Sequence, residues 1–295
     1  MQIALYSRPR PNTRSEELNR LFAALSESGL SFQLNEAFAR QVETLLPLRF
    51  STEQRYEKAS EISADTAVMV SYGGDGTFLE AVRLLNDRTL PIIGINSGRL
   101  GFLANINRQD MERAFAEIKS GHYTLEERSL LQVEGDFSQE PDYPYAFNEL
   151  TIQRQGASMI MTEVFVDGEL IATCHGDGML VSTPSGSTAY SLSVGGPIVA
   201  PQCHCLIVSP IAPHNLTMRP VVIPDQCEIT LKVHSREGHF YVSLDNQNYS
   251  AEDGAFFSIS CAKKAVFLVH LENISFYETL RNKMMWGMDN RDVTR

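Results

Sequence analysis

The stretch Gly73-Gly74-Asp75-Gly76-Thr77 constrains the fold more than any other part of the chain. The β-branched and apolar run of residues 66–72 leads into it, and residues 78–85, apolar at helical spacing, follow directly. Strand, glycine turn and helix together place backbone N–H groups and a helix N-terminus where an anion can sit. The glycines let a phosphate approach the main chain with no Cβ in the way, and they permit a positive φ in the turn. Asp75 fits this poorly, because a carboxylate repels a phosphate. Inside a phosphate loop it reads either as a base for an attacking hydroxyl or as a ligand of the metal that accompanies a polyphosphate. The plain alternative is a tight strand-to-helix turn with Asp75 as an ordinary cap. The loop lacks the Gly-Lys-Ser/Thr ending of a Walker A motif and is not spaced as Gly-x-Gly-x-x-Gly.

Around this loop the pattern alternates. Residues 2–6 read as a strand, and Ser15 is expected to cap a helix through about Ser28, with Leu18, Leu21, Phe22 and Leu25 at helical spacing. Residues 31–65 give only weak strand and helix signals. Pro91–Asn96 reads as a buried strand followed by the loop 97–102, and a helix near 109–119 closes at Gly121. Strands alternating with helices predict an α/β N-terminal domain with a doubly wound, mostly parallel sheet over residues 1–124. Its ligands belong at the carboxyl ends of the strands, where the Asp75 loop and the 96–101 loop both lie. Residues 125–275 read instead as a β-rich C-terminal domain of short, often alternating segments, with Val166-Asp167-Gly168-Glu169 as a hairpin signal. The tail is helical in pattern from Phe276 to Met285, and residues 276–295 are assigned back to the first domain.

Charge and composition narrow the classes. A net charge of −11 argues against nucleic acid or an anionic membrane as partner. A polyanionic substrate must therefore be met by local dipoles, metal ions and a few basic residues; Arg8, Arg10, Arg99 and Arg219 are the candidates, though each taken singly reads first as a solvated surface charge. Five cysteines at irregular spacing give no disulfide framework, and Cys203-His204-Cys205 has no second pair to complete a structural metal site. No apolar run reaches the roughly 20 residues that span a bilayer. The N-terminus carries no signal-peptide pattern, so a cytoplasmic location is expected.

A second constellation lies in the β-rich half. A strand from Gly178 runs into Thr183-Pro184-Ser185-Gly186-Ser187-Thr188-Ala189-Tyr190-Ser191, with Gly195-Gly196-Pro197 after it. Hydroxyls and amides suit a sugar or phosphate, and the tyrosine ring suits a flat base. On composition alone this is also what a Ser/Thr-rich surface loop looks like. Asn148-Glu149, a carboxamide beside a carboxylate, has the groups to grip both hydroxyls of a ribose, or is simply the exposed face of a strand. No Gly-x-Ser-x-Gly elbow supports a hydrolase.

Taken in order, these residues resemble the NAD kinase family. The resemblance rests on the Gly73–Thr77 loop, Gly94-Ile95-Asn96 with Gly98 and Leu100-Gly101-Phe102-Leu103, and Asn148-Glu149. It continues through Asp177-Gly178, the Ser182–Ser191 run, Gly195-Gly196-Pro197-Ile198, Pro210-Ile211-Ala212-Pro213-His214, Arg219-Pro220, Leu280-Arg281 and Trp286-Gly287. The glycine loop alone is shared with diacylglycerol-type lipid kinases and loosely with phosphofructokinases; the Thr183–Ser191 run is more specific.

The resemblance implies an active site between the two domains and Mg-dependent transfer of the ATP γ-phosphoryl group to the 2′-hydroxyl of the adenosine ribose of NAD. Asp75 is then the proton acceptor, and Gly73, Gly74, Gly76 and Thr77 form the phosphate loop. Asp75 and Gly76 also contact NAD, Asn148 and Glu149 hold its ribose and adenine region, and Asp177 meets its other end. Thr188, Ala189, Tyr190, Ser191, Leu192 and Ser193 line the pocket. Ala212 and Gln247 fall at contacting positions, and His175 at a variable one. The family further implies a homodimer or homotetramer and, in some members, inorganic polyphosphate as donor. Two positions depart from the pattern: Asn246 stands where Asp-Gly-Gln is usual, and Val194 replaces a common alanine. A free aspartate titrates near about 3.9, a weak base, but a loose phosphoryl-transfer transition state demands little early deprotonation. A lipid kinase sharing the glycine loop and a non-enzymatic NAD(P)-binding sensor are the alternatives.

Overall fold

The computed structural model describes residues 1–98, 100–272 and 274–287. It divides into two compact units, Met1–Glu126 with the chain from Val266 onward, and Glu127–Ala265. The second boundary falls ten residues before the expected 275. Phe256–His270 is one unbroken strand whose first residues pair with Ile229–Ser235, while Leu268 pairs with Ile92 of the first unit. No glycine or proline interrupts residues 256–270, so nothing in the sequence marks the handover.

In the first unit the strands order as Arg55–Tyr56, Ser31–Asn35, Gln2–Tyr6, Thr66–Gly73, Ile92–Asn96 and the end of Phe256–His270, each pair parallel. Seven of the eight residues of Thr66–Gly73 are buried, which is the pattern of a parallel strand covered on both faces. Chain order reverses between Gln2–Tyr6 and Thr66–Gly73. Ligands of such sheets collect at the carboxyl ends beside this reversal, and the Asp75 loop leaves from there. Ser7 Oγ donates to the Tyr72 carbonyl at 2.6 Å and ties the two strand ends together.

The helix Ser15–Ser28 buries Leu18, Leu21 and Leu25, each worth about 1.5–3 kcal/mol of transfer free energy. Gly29, at φ 64°, ends it in the left-handed region. The expected cap is corrected: Ser15 is the first helical residue, Arg14 holds the cap position, and Ser15 Oγ reaches the Leu45 carbonyl at 3.4 Å. Glu16 and Glu17 in the first turn complement the helix dipole in its place. The later helices are Glu36–Leu45, Asp75–Leu85, Met111–Ser120, closed by Gly121, and Phe276–Met284.

The second unit is antiparallel. One sheet orders as Val221–Pro224, Cys205–Ile211, Gly178–Ser182, Glu149–Arg154, His239–Leu244 and Gln247–Glu252. The other joins Glu169–Gly176, Ile160–Val166, Ile229–Ser235 and the start of Phe256–His270. Its core draws on both, including Leu150, Ile152, Val181, Val208, Ile229, Leu231, Phe240 and Phe257. The Val166–Glu169 turn is a two-residue hairpin with Asp167 at φ 50° and Gly168 at φ 81°. Among the described residues no helix is long and apolar enough to cross a membrane.

Candidate active site

The helix Asp75–Leu85 starts at Asp75, with Gly74 in the cap position. Asp75 does not cap it. Its Oδ1 accepts the backbone N–H of Leu103 at 3.1 Å and of Ala104 at 2.9 Å, and its Oδ2 that of Phe102 at 3.0 Å. Lys283 Nζ lies 3.5 Å from Oδ2. The carboxylate is thus fixed by three amides and an ammonium, and about a third of it remains exposed.

The glycines have different reasons to be there. A Cβ at Gly73 would lie 2.4 Å from Thr77 Oγ1, so Gly73 serves close packing. Gly74 and Gly76 are exposed and have nothing within 4 Å of a Cβ, which leaves their main chain open to a phosphate. None of the three uses the positive φ that glycine permits; Gly74 is at −104°. The helix begins directly after a strand, so the chain turns without a left-handed residue.

The loop after Ile92–Asn96 is shaped to receive Asp75. Gly94 lets Leu103 and Ala104 fold back over the strand, a Cβ there standing 2.5 Å from the Leu103 carbonyl oxygen. Asn96 Nδ2 donates to the Ala104 carbonyl at 3.3 Å and the Gly101 N–H to the same group at 3.0 Å. The Ser97 N–H donates to the Gly73 carbonyl at 3.2 Å, joining the two loops. At Gly101 a Cβ would stand 1.9 Å from Asp75 Oδ1. Gly101→Ala should therefore displace the carboxylate from its amides, lowering kcat by about tenfold or more and lowering Tm as well, since the Phe102, Leu103 and Ala104 N–H groups lose their acceptor. Wild-type kcat would show that the exact seat of Asp75 is unimportant.

Of the basic candidates, Arg8 pairs with Glu80 at 3.2 Å, and Arg219 donates to the Leu216 and Met218 carbonyls, both at 2.7 Å. The Arg10 backbone N–H and carbonyl bond the Gln41 carboxamide, its N–H donating and its carbonyl accepting. Arg99 lies outside the described residues. Among the described residues the cation on the Asp75 carboxylate is Lys283, which sequence reasoning missed because a lone lysine in a C-terminal helix carries no local signal.

In the second unit the surface-loop alternative fails. Ser182, Thr183, Ser185, Ser187 and Ser191 are buried, and most of their hydroxyls hold the loop itself. Thr183 Oγ1 donates to the Phe147 carbonyl at 2.7 Å and accepts the Gly186 N–H at 3.0 Å. Ser187 Oγ donates to the Val199 carbonyl at 3.2 Å. Thr188, Ala189, Tyr190 and Leu192 are half-buried and Ser193 is exposed. Gly186 packs so closely that a Cβ would stand 2.1 Å from the Asn148 carbonyl oxygen, which brings the Asn148-Glu149 pair against this loop.

Glu149 is 8% exposed, accepts the Tyr190 N–H, and has an Oε2 with no partner; the buried Ser191 Oγ has none either. Behind the pair stands a residue to which the sequence assigned no role. Asp245 accepts the N–H of Phe147 at 2.8 Å, of Asn148 at 2.7 Å and of Glu149 at 3.1 Å. It occupies the hairpin turn Asp245-Asn246 at φ 51°, partly exposed as a residue but with its carboxylate turned inward. The only signal for it was an acidic residue in the turn where the family's Asp-Gly-Gln falls. Gln247 follows at the start of its strand, and its Nε2 donates to Asn246 Oδ1 at 3.1 Å.

Burial, then the Asp245 charge, pushes the Glu149 carboxyl up from 4.5 to about 8, against the pull of the Tyr190 N–H. Burial pushes Asp245 up from 3.8 to about 6, against its three amides. Both bind protons more tightly folded than unfolded. Their stabilising contribution is complete below the unfolded values and is lost as pH rises through about 6 and then about 8. Glu149→Gln, which mimics the protonated group, should gain Tm relative to wild type as pH is raised from 5 to 9. Parallel Tm curves would count against a protonated Glu149.

The other expected contacts gather at one end of this sheet. The Asp177 N–H donates to the Ile211 carbonyl at 3.0 Å and the His214 N–H to the His175 carbonyl at 2.8 Å. Gly176 lies under Ala212, a non-glycine residue at φ 44°. Such a backbone is uncommon for alanine and is held by its surroundings. Asp177 already has a partner, Arg154 Nε at 2.6 Å, and Gln153 Nε2 donates to the Tyr190 hydroxyl at 2.9 Å. His175 is exposed on an edge strand beside Met161 and His234.

With this geometry in place, comparison with known proteins is decisive. The ATP-NAD kinase N-terminal domain matches residues 3–123 and the ATP-NAD kinase C-terminal domain residues 147–271. The chain belongs to the NAD kinase family. An NAD kinase of Bacteroides fragilis is 39% identical over 292 residues, covering 99% of this chain and all of that protein. One of Flavobacterium psychrophilum is 37% identical over 295 residues with the same coverage. Among solved structures, an NAD kinase from Archaeoglobus fulgidus in complex with ATP aligns with a TM-score of 0.73 at 25% identity, covering 97% of this chain and 99% of that one. Yeast NADH kinase complexed with NADH aligns at 0.84 and 21% identity, covering 98% and 88%, and supports the two-domain NAD kinase fold.

Proposed function

We propose that the chain transfers the γ-phosphoryl group of ATP to the 2′-hydroxyl of the adenosine ribose of NAD, giving NADP and ADP. The observation that carries this reading is Asp75, a carboxylate anchored by three amides between two glycines open to phosphate. Such a group is pre-positioned to orient a hydroxyl and take its proton, which is most of what a loose phosphoryl transfer asks of the protein. Gly74 and Gly76 would receive the donor phosphates, and magnesium carried by ATP would offset the charge that the triphosphate and Asp75 bring together.

NAD is assigned to the second unit. The unpartnered Glu149 Oε2 and Ser191 Oγ are buried polar atoms with unused hydrogen-bonding capacity, as a ribose with two hydroxyls requires. Asn148, Asp177, Thr188, Ala189, Tyr190, Leu192, Ser193, Ala212, Gln247 and His175 complete the assignment, with Gly76 beside Asp75. Arg154 holds Asp177 in place. The enzyme is further proposed to be cytoplasmic and a homodimer or homotetramer. Exposed Leu170, Ile171, Val221 and Val222, apolar side chains on edge strands, support the oligomer. The lipid-kinase alternative has no support among the matched families, and a sensor has no need of a fixed Asp75.

A coupled assay for NADP from NAD, ATP and Mg²⁺ tests the reading. Product at a rate dependent on all three is expected; its absence, with NAD still bound in calorimetry, would favour the sensor.

A further inference from the structure

Lys283 is the one cation found on the Asp75 carboxylate among the described residues, and nothing so far gives it work. It lies in the helix Phe276–Met284, and its ammonium stands 4.5 Å from the Phe102 ring centroid as well as 3.5 Å from Asp75 Oδ2. The Phe102 ring contacts Phe276 of the same helix at a centroid distance of 6.3 Å. The helix is therefore seated, through Phe276 and Lys283, on the residue whose N–H holds Oδ2.

The hydrogen-bond inventory makes this pairing consequential. Oδ1 is filled by the Leu103 and Ala104 amides, so the capacity left to Asp75 is on Oδ2, beside the Phe102 amide. That is the position the ammonium faces. While Lys283 stays there, a hydroxyl has no free lone pair of Asp75 to approach. A lysine ammonium on a flexible stem, one-third exposed, is well suited to exchange partners. A triphosphate arriving at Gly74 and Gly76, on either side of Asp75, offers it several negative charges in place of one.

Building on the NAD kinase reading, we infer that Lys283 binds the phosphates of the donor and, by leaving Asp75 for them, frees Oδ2 for the acceptor hydroxyl. Lys283 then serves two states. Without donor it neutralises Asp75 and holds the C-terminal helix on the loop; with donor it binds phosphate.

The test uses the full chain with Lys283→Gln and Lys283→Arg. Steady-state kinetics are varied in ATP and in NAD, and calorimetry follows the Mg²⁺ complex of an ATP analogue with an imido β–γ bridge. Loss of a charge-assisted contact predicts a rise of about tenfold or more in the ATP KM and the analogue Kd for Lys283→Gln. The NAD KM should stay within about twofold, and Lys283→Arg, which keeps the charge, should recover most of the loss. Unchanged ATP KM and analogue Kd would overturn the inference, as would equal rises for both substrates or an arginine variant as impaired as the glutamine one. If Lys283→Gln does not fold, Lys283→Met keeps the stem over Phe102 and reads the same constants. Failure of the wild type to make NADP would instead sink the kinase reading, and the analogue Kd would still decide what Lys283 binds.

Discussion

Asp75→Asn is expected to lower turnover by roughly 10² to 10⁴-fold while leaving the calorimetric affinity for NAD within a small factor of wild type. Asparagine keeps one oxygen for the Leu103 and Ala104 amides but turns an NH₂ toward the Phe102 N–H and the Lys283 ammonium, where only donors stand. The variant thus loses the proton acceptor and gains a local clash of donors, both confined to the loop of the first unit. The NAD contacts assigned to the second unit are untouched, so binding and turnover should separate. Turnover near wild type would remove Asp75 from the chemistry; loss of NAD affinity in step with turnover would make it a binding residue instead.

Asp245→Ala is expected to cost about 3 kcal/mol or more of stability, read as a Tm lower by roughly 6 °C or more. Three backbone N–H groups, those of Phe147, Asn148 and Glu149, would lose their acceptor together. Each unsatisfied buried donor costs about 1–3 kcal/mol, less what water repairs at a turn that is partly exposed. The same change removes the charge that helps to raise Glu149, so the fall of Tm toward alkaline pH should be shallower in this variant. A Tm within a degree or two of wild type would mean that the turn holds the three amides without its carboxylate.

Both variants probe features of unequal visibility in the sequence. The strand and helix around Asp75 were legible because apolar spacing records burial, and Thr66–Gly73 is buried almost throughout. The Val166–Glu169 hairpin was legible because an Asp-Gly pair reports the left-handed residues that such a turn needs. What Asp75 and Asp245 bond was not legible, since their partners lie 27 to 29 and 96 to 98 positions away and are main-chain groups with no residue type to read. The Thr183–Ser191 run looked solvent-facing because hydroxyls that satisfy their own loop have the composition of hydroxyls exposed to water. Lys283 was hidden for a similar reason: charge in a last helical turn is ordinary, and only folding brings it to Asp75.

The seat of Asp75 also predicts which changes the chain tolerates. Every residue except proline offers a main-chain N–H, so the carboxylate is indifferent to which side chains occupy positions 102, 103 and 104. Substitutions at Leu103 should be filtered by packing alone, and those at Phe102 by what the ring does for Lys283. Proline at any of the three would remove one anchor outright. A saturation library across this loop should therefore reject proline at all three sites, with the rest of its tolerance set by packing at the buried Leu103 and Ala104 and by the ring at Phe102.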